Sequence, residues 1–204
     1  MQTQITYPGL MAMEQRKRAH LINSVGGFKS LCLIGTTDNS GNTNLAVFSS
    51  IVHIGANPPL ICFIMRPDSV ERHTLTNILA TGVYTINHIN ENIYPQAHQS
   101  SARYPKDISE FNATGLTTEY KNDCVAPFVK ESKVQLEVEF KERIDLTINN
   151  TIMVIGAITQ LYFPEDCWAE DGYLDIEKAG TITCSGLDSY HTTRRLQRLP
   201  YAKP

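Results

Sequence analysis

Polar side chains interrupt an otherwise apolar stretch in the first half of the chain. Ser49 and Ser50 break a β-prone run, and Arg66 follows the next apolar run. Thr74 and Asn77 then stand three residues apart in a segment of helical period, so they share one face of a helix. Two strands and a helix would bring together hydroxyls, an amide and a guanidinium. These groups suit a phosphate with a polar heterocycle beside it. The alternative is a serine bulge, solvated helix residues and an arginine paired with a surface acid.

Several reaction classes lack their motifs in this sequence. There is no GxGxxG loop after a strand, no GxxxxGK[ST] phosphate loop and no HExxH metal site. The segment TCSGLDS around Ser185 lacks the GxSxG elbow of a serine hydrolase. The histidines and five cysteines are scattered, which argues against a metal site and predicts buried, reduced thiols. We therefore expect neither a catalytic side chain nor a metal, and an enzyme of this sequence would depend on a bound cofactor.

Strands are the main elements that must position these side chains. The β-prone runs cover residues 30–38, 43–54, 60–65, 83–89, 133–144 and 152–163. Within a single strand over 43–54, Ser49 and Ser50 would point to opposite faces. Gly156, inside the last run, marks a place where a barrel wall might bend. Since strands far outnumber helices, the pattern predicts a mainly β (α+β) fold, a closed or nearly closed antiparallel barrel.

A few helices are predicted around this barrel. One covers residues 11–23, and another starts near Ser69 as its N-cap and ends at Gly82. A short helix is expected within 107–115, in a polar region, and the tail after residue 185 shows no strong period. The helix that carries Thr74 and Asn77 is thus predicted to follow the strand that ends near Arg66.

Length and composition are those of a globular protein with one domain over residues 1–204. The chain has 42% hydrophobic and 19% charged residues and a formal net charge of -3, which gives no basic field for nucleic acid or an anionic membrane. The N-terminus lacks the pattern of a signal peptide, and the apolar runs are too short to span a bilayer. These features predict a cytoplasmic protein.

Longer motifs occur in a fixed order along the chain. The first two motifs are GNTNLAVFSSIVHIGANPPLICFIM and RHTLTNILATGVYTIN. They are followed by SSARYPKDISEFNATGLT, APFVKESKVQLEVEF and VIGAITQLYF, and finally by Tyr190 before a Pro-containing tail. This order resembles that of the flavin reductase-like, FMN-binding split-barrel family. The family shows T-x-D-x-x-G-x-x-N-x-A-x-x-S, a Pro pair before a strand, T-x-x-N-I opening a helix and (Y/F)-x-(V/I)-N. The resemblance spans nearly the whole chain.

The resemblance implies a six-stranded Greek-key split barrel, a homodimer, and FMN at or near the subunit interface. It places Asn44–Ser50 along the isoalloxazine, with the amides of Ala46 to Phe48 at its polar rim and the serines near the ribityl chain or phosphate. Positions around the phosphate and a loop over the ring complete the site. The implied FMN-binding residues are Asn44, Ala46, Val47, Phe48, Ser49, Ser50, Arg66, Arg72, His73, Thr74, Asn77, His98, Ser101 and Ala102.

Some positions depart from the family pattern. Val47 stands where Pro is frequent, Arg72-His73 replaces a Lys-Asp pair, and Lys203 stands near the end of the tail where Arg-Pro is common. Arg72 still supplies positive charge, so the phosphate interpretation is retained.

The reaction implied by the resemblance is hydride transfer from NAD(P)H to flavin N5, with electrons passed to a monooxygenase or another acceptor. The nicotinamide would stack on the exposed flavin face, and Arg194 and Arg195 would meet its phosphates or form a solvated tail. Two alternatives remain open at this point. One is an FMN-binding electron carrier that does not use NAD(P)H, and the other is a flavin-free dimeric interaction module.

Overall fold

A seven-stranded antiparallel sheet forms the centre of the computed structural model, which describes residues 1–203. The strands are β1 Lys29–Ser30, β2 Cys32–Thr37, β3 Thr43–Phe48, β4 Ile51–Ala56, β5 Pro59–Met65, β6 Val83–His88, β7 Thr118–Glu119, β8 Phe128–Val129, β9 Gln135–Leu146, β10 Thr151–Tyr162, β11 Thr183–Ser185 and β12 Ser189–His191. The helices are α1 Tyr7–Ala12, α2 Gln15–Val25, α3 His73–Thr81, α4 Tyr94–Gln99 and α5 Glu110–Thr114, with a 3-10 turn at Glu165–Cys167.

The order of strands in the main sheet is β3-β2-β6-β9-β10-β5-β4. The two edge strands, β3 and β4, are consecutive in the chain and are separated only by Ser49 and Ser50. Three peptide steps span at most about 11 Å, so the two edges of the sheet must lie close together. The sheet therefore curls into a barrel that is split between β3 and β4.

The predicted mainly β split barrel is confirmed, but the strand count differs. The predicted strand over 43–54 is wrong as a single element, because the chain leaves one edge of the sheet after Phe48 and joins the other edge at Ile51. Six predicted strands thus become seven in the main sheet. Ser49 and Ser50 lie at the crossing between the two edges, outside both strands.

Apolar side chains fill both the barrel and the space between the barrel and its helices. The interior group includes Ile34, Phe63 and Tyr84, and a second group between β2, β3, α4 and α5 includes Leu45 and Phe111. These residues are at most 1% exposed. Burial of such side chains contributes about 1.5–3 kcal/mol each, and the second cluster holds α4 and α5 against the β3 side of the barrel.

Gly156 lies where β10 bends against β9. The register of the two strands shifts between Ile155 and Gly156. A Cβ atom at Gly156 would lie 2.4 Å from Val138 Cγ1 and 2.5 Å from the Tyr84 hydroxyl. The predicted bend of the barrel wall is therefore a place of close packing that only glycine permits.

The helices differ from the sequence prediction in three respects. The N-terminal helix is two helices, α1 and α2, joined by hydrogen bonds from the Arg18 guanidinium to the Met11 and Met13 carbonyls. Helix α3 begins at His73 and has Arg72, not Ser69, at its N-cap, while Gly82 ends it in the left-handed conformation as expected. Helix α4 lies in the polar region, where the sequence predicted a helix only within 107–115, and it includes His98, which the resemblance placed in a loop.

Smaller sheets extend the barrel. Strands β1, β11 and β12 form a three-stranded sheet, and β7 pairs with β8. All five cysteine thiols are free and buried, as the sequence predicted. Within residues 1–203, every helix is too short or too polar to cross a membrane.

Candidate functional site

The outer edge of β3 faces away from the rest of the main sheet and carries backbone donors. The Leu45 N–H donates to Glu110 Oε2 over 2.9 Å on this side. Because successive N–H groups of an antiparallel strand alternate in direction, the Val47 N–H points to the same side. The N–H groups of Ala46 and Phe48 point towards β2, with which β3 pairs. Of the three amides predicted to face a ligand, that of Val47 is therefore available at the edge.

Glu110 occupies the half of this edge nearest Leu45. Its side chain comes from the first turn of α5 and is only 8% exposed. Burial raises the pKa of the Glu110 carboxyl above its ordinary range, while the hydrogen bond from Leu45 and the nearby His73 act in the opposite direction. A buried carboxylate thus satisfies Leu45 and leaves the Val47 end of the edge open.

The two serines between β3 and β4 have different partners. Ser50 Oγ donates to the Ile64 carbonyl over 2.8 Å and accepts from the Ile64 N–H over 3.2 Å. Its hydroxyl therefore bonds the two backbone groups of Ile64 on β5 that a neighbouring strand would otherwise bond. Burial raises the pKa of the Cys184 thiol, while the Lys29 charge and then the Ser49 hydroxyl act in the opposite direction. The Ser49 hydroxyl is therefore the one of the two that acts towards the small sheet.

Three predicted site residues, Asn44, Thr74 and Asn77, meet in one buried polar cluster with Thr36. The Asn44 amide donates to Thr36 Oγ1 over 3.2 Å and to Thr74 Oγ1 over 3.0 Å. The Asn77 amide donates to Thr36 Oγ1 over 3.1 Å. All four side chains are at most 7% exposed. These three bonds join β2, β3 and α3, and the cluster forms a fixed floor beside the open edge.

A small cleft of about 20 Å³ opens from this cluster. Its lining mixes amides, hydroxyls and charges of both signs. The lining residues are Asp38, Asn42, Thr43, Asn44, His73, Asn77, Lys106, Ile108 and Glu110.

The N-terminus of α3 carries the predicted basic residues. Arg72 is the N-cap, and its guanidinium donates to the Pro67 carbonyl over 3.1 Å. A guanidinium has no acceptor atom, and within residues 1–203 no side chain caps the first turn of α3. His73 is the first helical residue, and Arg66 is exposed just after β5. Uncapped N–H groups beside the Arg72 guanidinium suit an anion, and the Glu71 carboxylate, 3.9 Å from His73, is the acidic group at this end of the helix.

His98 and Tyr190 form a second side of the candidate site. His98 Nδ1 lies 2.6 Å from the Tyr190 hydroxyl, and their rings are 5.7 Å apart, edge to face. Tyr190, on β12, packs with Val47 against the buried cluster beneath α4. Burial raises the pKa of the Tyr190 phenol above its ordinary range. Helix α4 and strand β12 therefore lie beside the Val47 end of the β3 edge.

The last predicted site residues lie in the loop after α4. Ser101 and Ala102 are exposed, and the Ala102 N–H donates to the Gln99 carbonyl over 3.1 Å. At the end of this loop the Ser109 hydroxyl lies 2.7 Å from that of Thr43. The loop thus begins beside His98 and ends on β3.

Two arginines of the C-terminal tail, Arg195 and Arg198, are engaged elsewhere, whereas Arg194 is exposed. Arg195 pairs with Asp175 over 2.9 Å, and Arg198 pairs with Asp171 and covers the ring of Tyr173 at 4.2 Å. They line a cavity of about 470 Å³ whose walls are Asp166, Cys167, Trp168, Ala169, Tyr173, Asp175, Lys178, Arg195 and Arg198. This lining shares no residue with the β3 edge or the cleft beside α3.

Glu110, Thr36 and Tyr190 were not among the predicted site residues. The E-F-x-x-x-G-L motif contains Glu110, but a carboxylate buried against a strand edge has no local pattern. Tyr190 lies in a strand of three residues, too short for a period to appear. Its only local signal is Gly186, whose positive φ of 63° makes the turn between β11 and β12.

Comparison with known proteins gives a family match and close structural similarity. A model of the flavin reductase like domain matches residues 25–178. A crystal structure from Shewanella frigidimarina NCIMB 400, provisionally described as a flavin reductase with split barrel domain, is 52% identical. The similarity covers 98% of this chain and 100% of that chain, with a TM-score of 0.95.

More distant proteins share the fold. Nitrilotriacetate monooxygenase component B from Bacillus cereus is 20% identical over 98% of this chain and 99% of that chain, with a TM-score of 0.84. Flavoredoxin of Desulfovibrio vulgaris (Miyazaki F) is 21% identical over 86% and 92%, with a TM-score of 0.74. A protein of Aquifex aeolicus (strain VF5) is 28% identical over 106 residues, 51% of this chain and 54% of that protein. The alignment thus spans about half the length of that relative.

Proposed function

The chain belongs to the flavin reductase like domain family, and from this premise we propose that it is an FMN-binding oxidoreductase that reduces flavin with NAD(P)H. The observation that carries the proposal is the position of two donor groups beside one buried floor. The Val47 N–H lies on the open edge of β3, and the uncapped N-terminus of α3 lies beyond Asn44 and Thr74. We propose that the domain includes all residues from 1 to 204.

The donor set suits FMN at both ends of the cofactor. Backbone N–H groups at the start of α3, together with Arg66, Arg72 and His73, suit a phosphate dianion. The Val47 N–H and the Ser49 hydroxyl suit the polar rim of a flavin ring or its ribityl chain. Both ends are donor-rich, and this match supports FMN as the ligand.

The remaining predicted residues have supporting roles in this proposal. The Asn44–Thr74 bond joins β3 to α3, and Asn44 and Asn77 both bond Thr36 on β2, so the phosphate and ring ends of the site keep their spacing. Ser50 fixes the crossing between the sheet edges through Ile64. Ala46 and Phe48 bond to β2 and keep the edge straight.

When bound, FMN supplies hydride acceptance at N5 and onward electron transfer. The chain's own part is to bind and orient the ring and to leave one face accessible. A fixed N–H donor such as that of Val47 also stabilises negative charge at the rim without reorganisation. The sequence has no dinucleotide-binding loop, so we propose that the nicotinamide contacts the open flavin face directly.

A second candidate is an FMN-binding electron carrier that does not use NAD(P)H. The observation in its favour is that Arg195, predicted to meet nucleotide phosphates, is already paired with Asp175. The flavoredoxin fold similarity is compatible with either candidate.

We propose that the protein is a cytoplasmic homodimer. Helices α1 and α2 expose apolar side chains, among them Tyr7 at 74% and Val25 at 69%, and α2 is too short to be stable without packing. A second copy of the chain would cover them. The similarity to a monooxygenase component supports a monooxygenase as one candidate electron acceptor.

Rapid anaerobic mixing of the FMN-loaded protein with NADH and with NADPH tests the reductase proposal. Bleaching of the flavin absorption band by one of the two nucleotides is the expected result. If both leave the band unchanged while FMN stays bound, the electron carrier is favoured. If the protein binds no FMN, both candidates fail and the flavin-free module is left.

A further inference from the structure

His98 and Tyr190 form a hydrogen-bonded pair that the proposed mechanism has not used. The 2.6 Å separation between His98 Nδ1 and the Tyr190 hydroxyl joins α4 to β12 across 92 residues of sequence. The Tyr190 ring also lies 5.3 Å from that of Tyr94. Two elements that are separate in the sequence therefore meet at one side chain pair.

This pair lies along the open edge of β3. Tyr190 and Val47 pack on the same buried cluster, which includes Leu45 and Ala97. Tyr190 also pairs across the small sheet with Cys184, whose thiol adjoins Ser49. Packed side chains therefore connect the Val47 end of the edge with His98. Since His98 is exposed, its second nitrogen, Nε2, is available on the outer side.

The direction of the hydrogen bond follows from the other partners of the phenol. A phenol has an ordinary pKa of about 10 and is protonated at neutral pH, and burial raises the pKa of Tyr190 further. Among residues 1–203, His98 Nδ1 is the one hydrogen-bond partner found for this hydroxyl. If Nδ1 carried the proton and donated, the phenol hydrogen would have to turn to solvent, which reaches this pair at the protein surface. The arrangement that satisfies both groups within the protein has the phenol donating to Nδ1, which places the imidazole proton on Nε2.

We propose that Tyr190 is a positioning residue that holds His98 as an Nε2–H donor facing the ligand along the β3 edge. This inference rests on the proposed function for the identity of the ligand, FMN. In the reaction proposed above, the imidazole of His98 adds a second fixed donor beside that of the Val47 N–H, at the same end of the β3 edge. A single tautomer matters because the other one would present an acceptor to the same ligand atom.

Long-range ¹H–¹⁵N correlation NMR of the protein without ligand tests the tautomer. The expected spectrum has His98 in the Nε2–H form, and Tyr190→Phe shifts it towards a mixture of the two forms. Tyr94→Phe, which keeps the neighbouring ring but changes a different hydroxyl, leaves the His98 shifts in place. A mixture or an Nδ1–H form in the wild type, or unchanged shifts in Tyr190→Phe, would overturn the proposal.

Addition of FMN to the same samples tests which way His98 faces. We expect the His98 Nε2 resonance to move on binding, and Tyr190→Phe to weaken FMN affinity about 2- to 10-fold, as for loss of one hydrogen bond. Tyr94→Phe should change it less than twofold. FMN binding that leaves His98 unmoved contradicts the proposal. A wild type that binds no FMN defeats the proposed function, whereas the tautomer result still decides the role of Tyr190.

Discussion

The Asn44 side-chain amide donates to the Thr74 hydroxyl over 3.0 Å, which joins strand β3 to helix α3 inside the core. The same amide reaches Thr36 on β2, so a single side chain connects three elements. The spacing between the open strand edge and the helix N-terminus depends on this contact. Thr74 is therefore a core residue as well as a predicted site residue.

Thr74→Ala is expected to lower both stability and FMN affinity. Removal of the hydroxyl takes one acceptor from the buried Asn44 amide, which costs about 1–3 kcal/mol of the free energy of unfolding. Loosening of α3 should also weaken FMN binding. Thr74→Ser keeps the hydroxyl and should lose less of both. Urea unfolding and a fluorescence titration with FMN measure the two effects.

Arg66→Ala is the comparison that separates affinity from stability. Arg66 is exposed, so its loss should leave the free energy of unfolding within about 0.5 kcal/mol of the wild type. FMN affinity should still fall, since a charged partner of the phosphate is removed. Unchanged affinity in both Arg66→Ala and Thr74→Ala would contradict the proposed phosphate position.

Ser50→Ala should destabilise the barrel more than Ser49→Ala does. The Ser50 hydroxyl bonds both the N–H and the carbonyl of Ile64, so its removal leaves two backbone groups of β5 without that partner. We expect a loss of about 1–3 kcal/mol in the free energy of unfolding. Thermal or urea unfolding of the two variants gives the comparison. Equal stability of the two would contradict the structural role of Ser50.

The buried Glu110 carboxyl predicts how the free energy of unfolding changes with pH. Its native pKa is raised by burial, so the folded protein holds this proton more tightly than the unfolded chain. This contribution to stability is therefore greatest at low pH and is lost as the pH rises from about 4 through the native pKa. Glu110→Gln keeps an acceptor for the Leu45 N–H and removes the charge.

The expected result is that Glu110→Gln is at least as stable as the wild type at pH 7 and loses this part of the pH dependence. Glu110→Ala leaves the Leu45 N–H without its acceptor and should be less stable by about 1–3 kcal/mol. Urea unfolding between pH 4 and 8 gives both values. A Gln variant as unstable as the Ala variant at pH 7 would show that the carboxylate charge, not its acceptor oxygen, is what β3 needs.

His88 predicts a pH dependence of the opposite sign. It lies at the end of β6 with Nδ1 3.1 Å from the Thr181 hydroxyl, and burial lowers its pKa to about 4. The unfolded chain binds this proton more readily, so the free energy of unfolding should fall as the pH drops from about 6.5 towards 4. The effect is on the order of 1–3 kcal/mol. His88→Gln should reduce the fall, measured by urea unfolding at pH 7 and pH 5.

Local patterns predicted much of the barrel because burial repeats along a strand. Along β9, Leu136 and Val138 are buried whereas Glu139 and Lys141 are exposed, as their alternation predicts, but Gln135 of the same polar face is buried. Helix α3 buries Leu75 and Ile78 of its apolar stripe, whereas Leu79 of that stripe is 48% exposed. The helix starts at His73, four residues after the predicted cap, and in the loop before it Asp68 pairs with Arg143 over 2.9 Å, a contact that no local pattern indicates.

Contacts between distant residues could not be predicted from local patterns. The apolar run 43–54 continues through the serines, and only the pairing of β5 with β4, and of Ser50 with Ile64, shows that the chain changes edge there. The contacts on both sides of the candidate site also join residues that are far apart in the sequence. Leu45 meets Glu110 across 65 residues, and His98 meets Tyr190 across 92. Sequence patterns gave the residues that could bind a ligand, and folding decided which of them bond one another.

A crystal structure of the protein with FMN tests the central claim most directly. The claim predicts the phosphate at the N-terminus of α3, within reach of Arg66 and Arg72, and the isoalloxazine along the open edge of β3 at Val47. FMN bound in the cavity beneath Arg195, or no flavin density at saturating FMN, would contradict it.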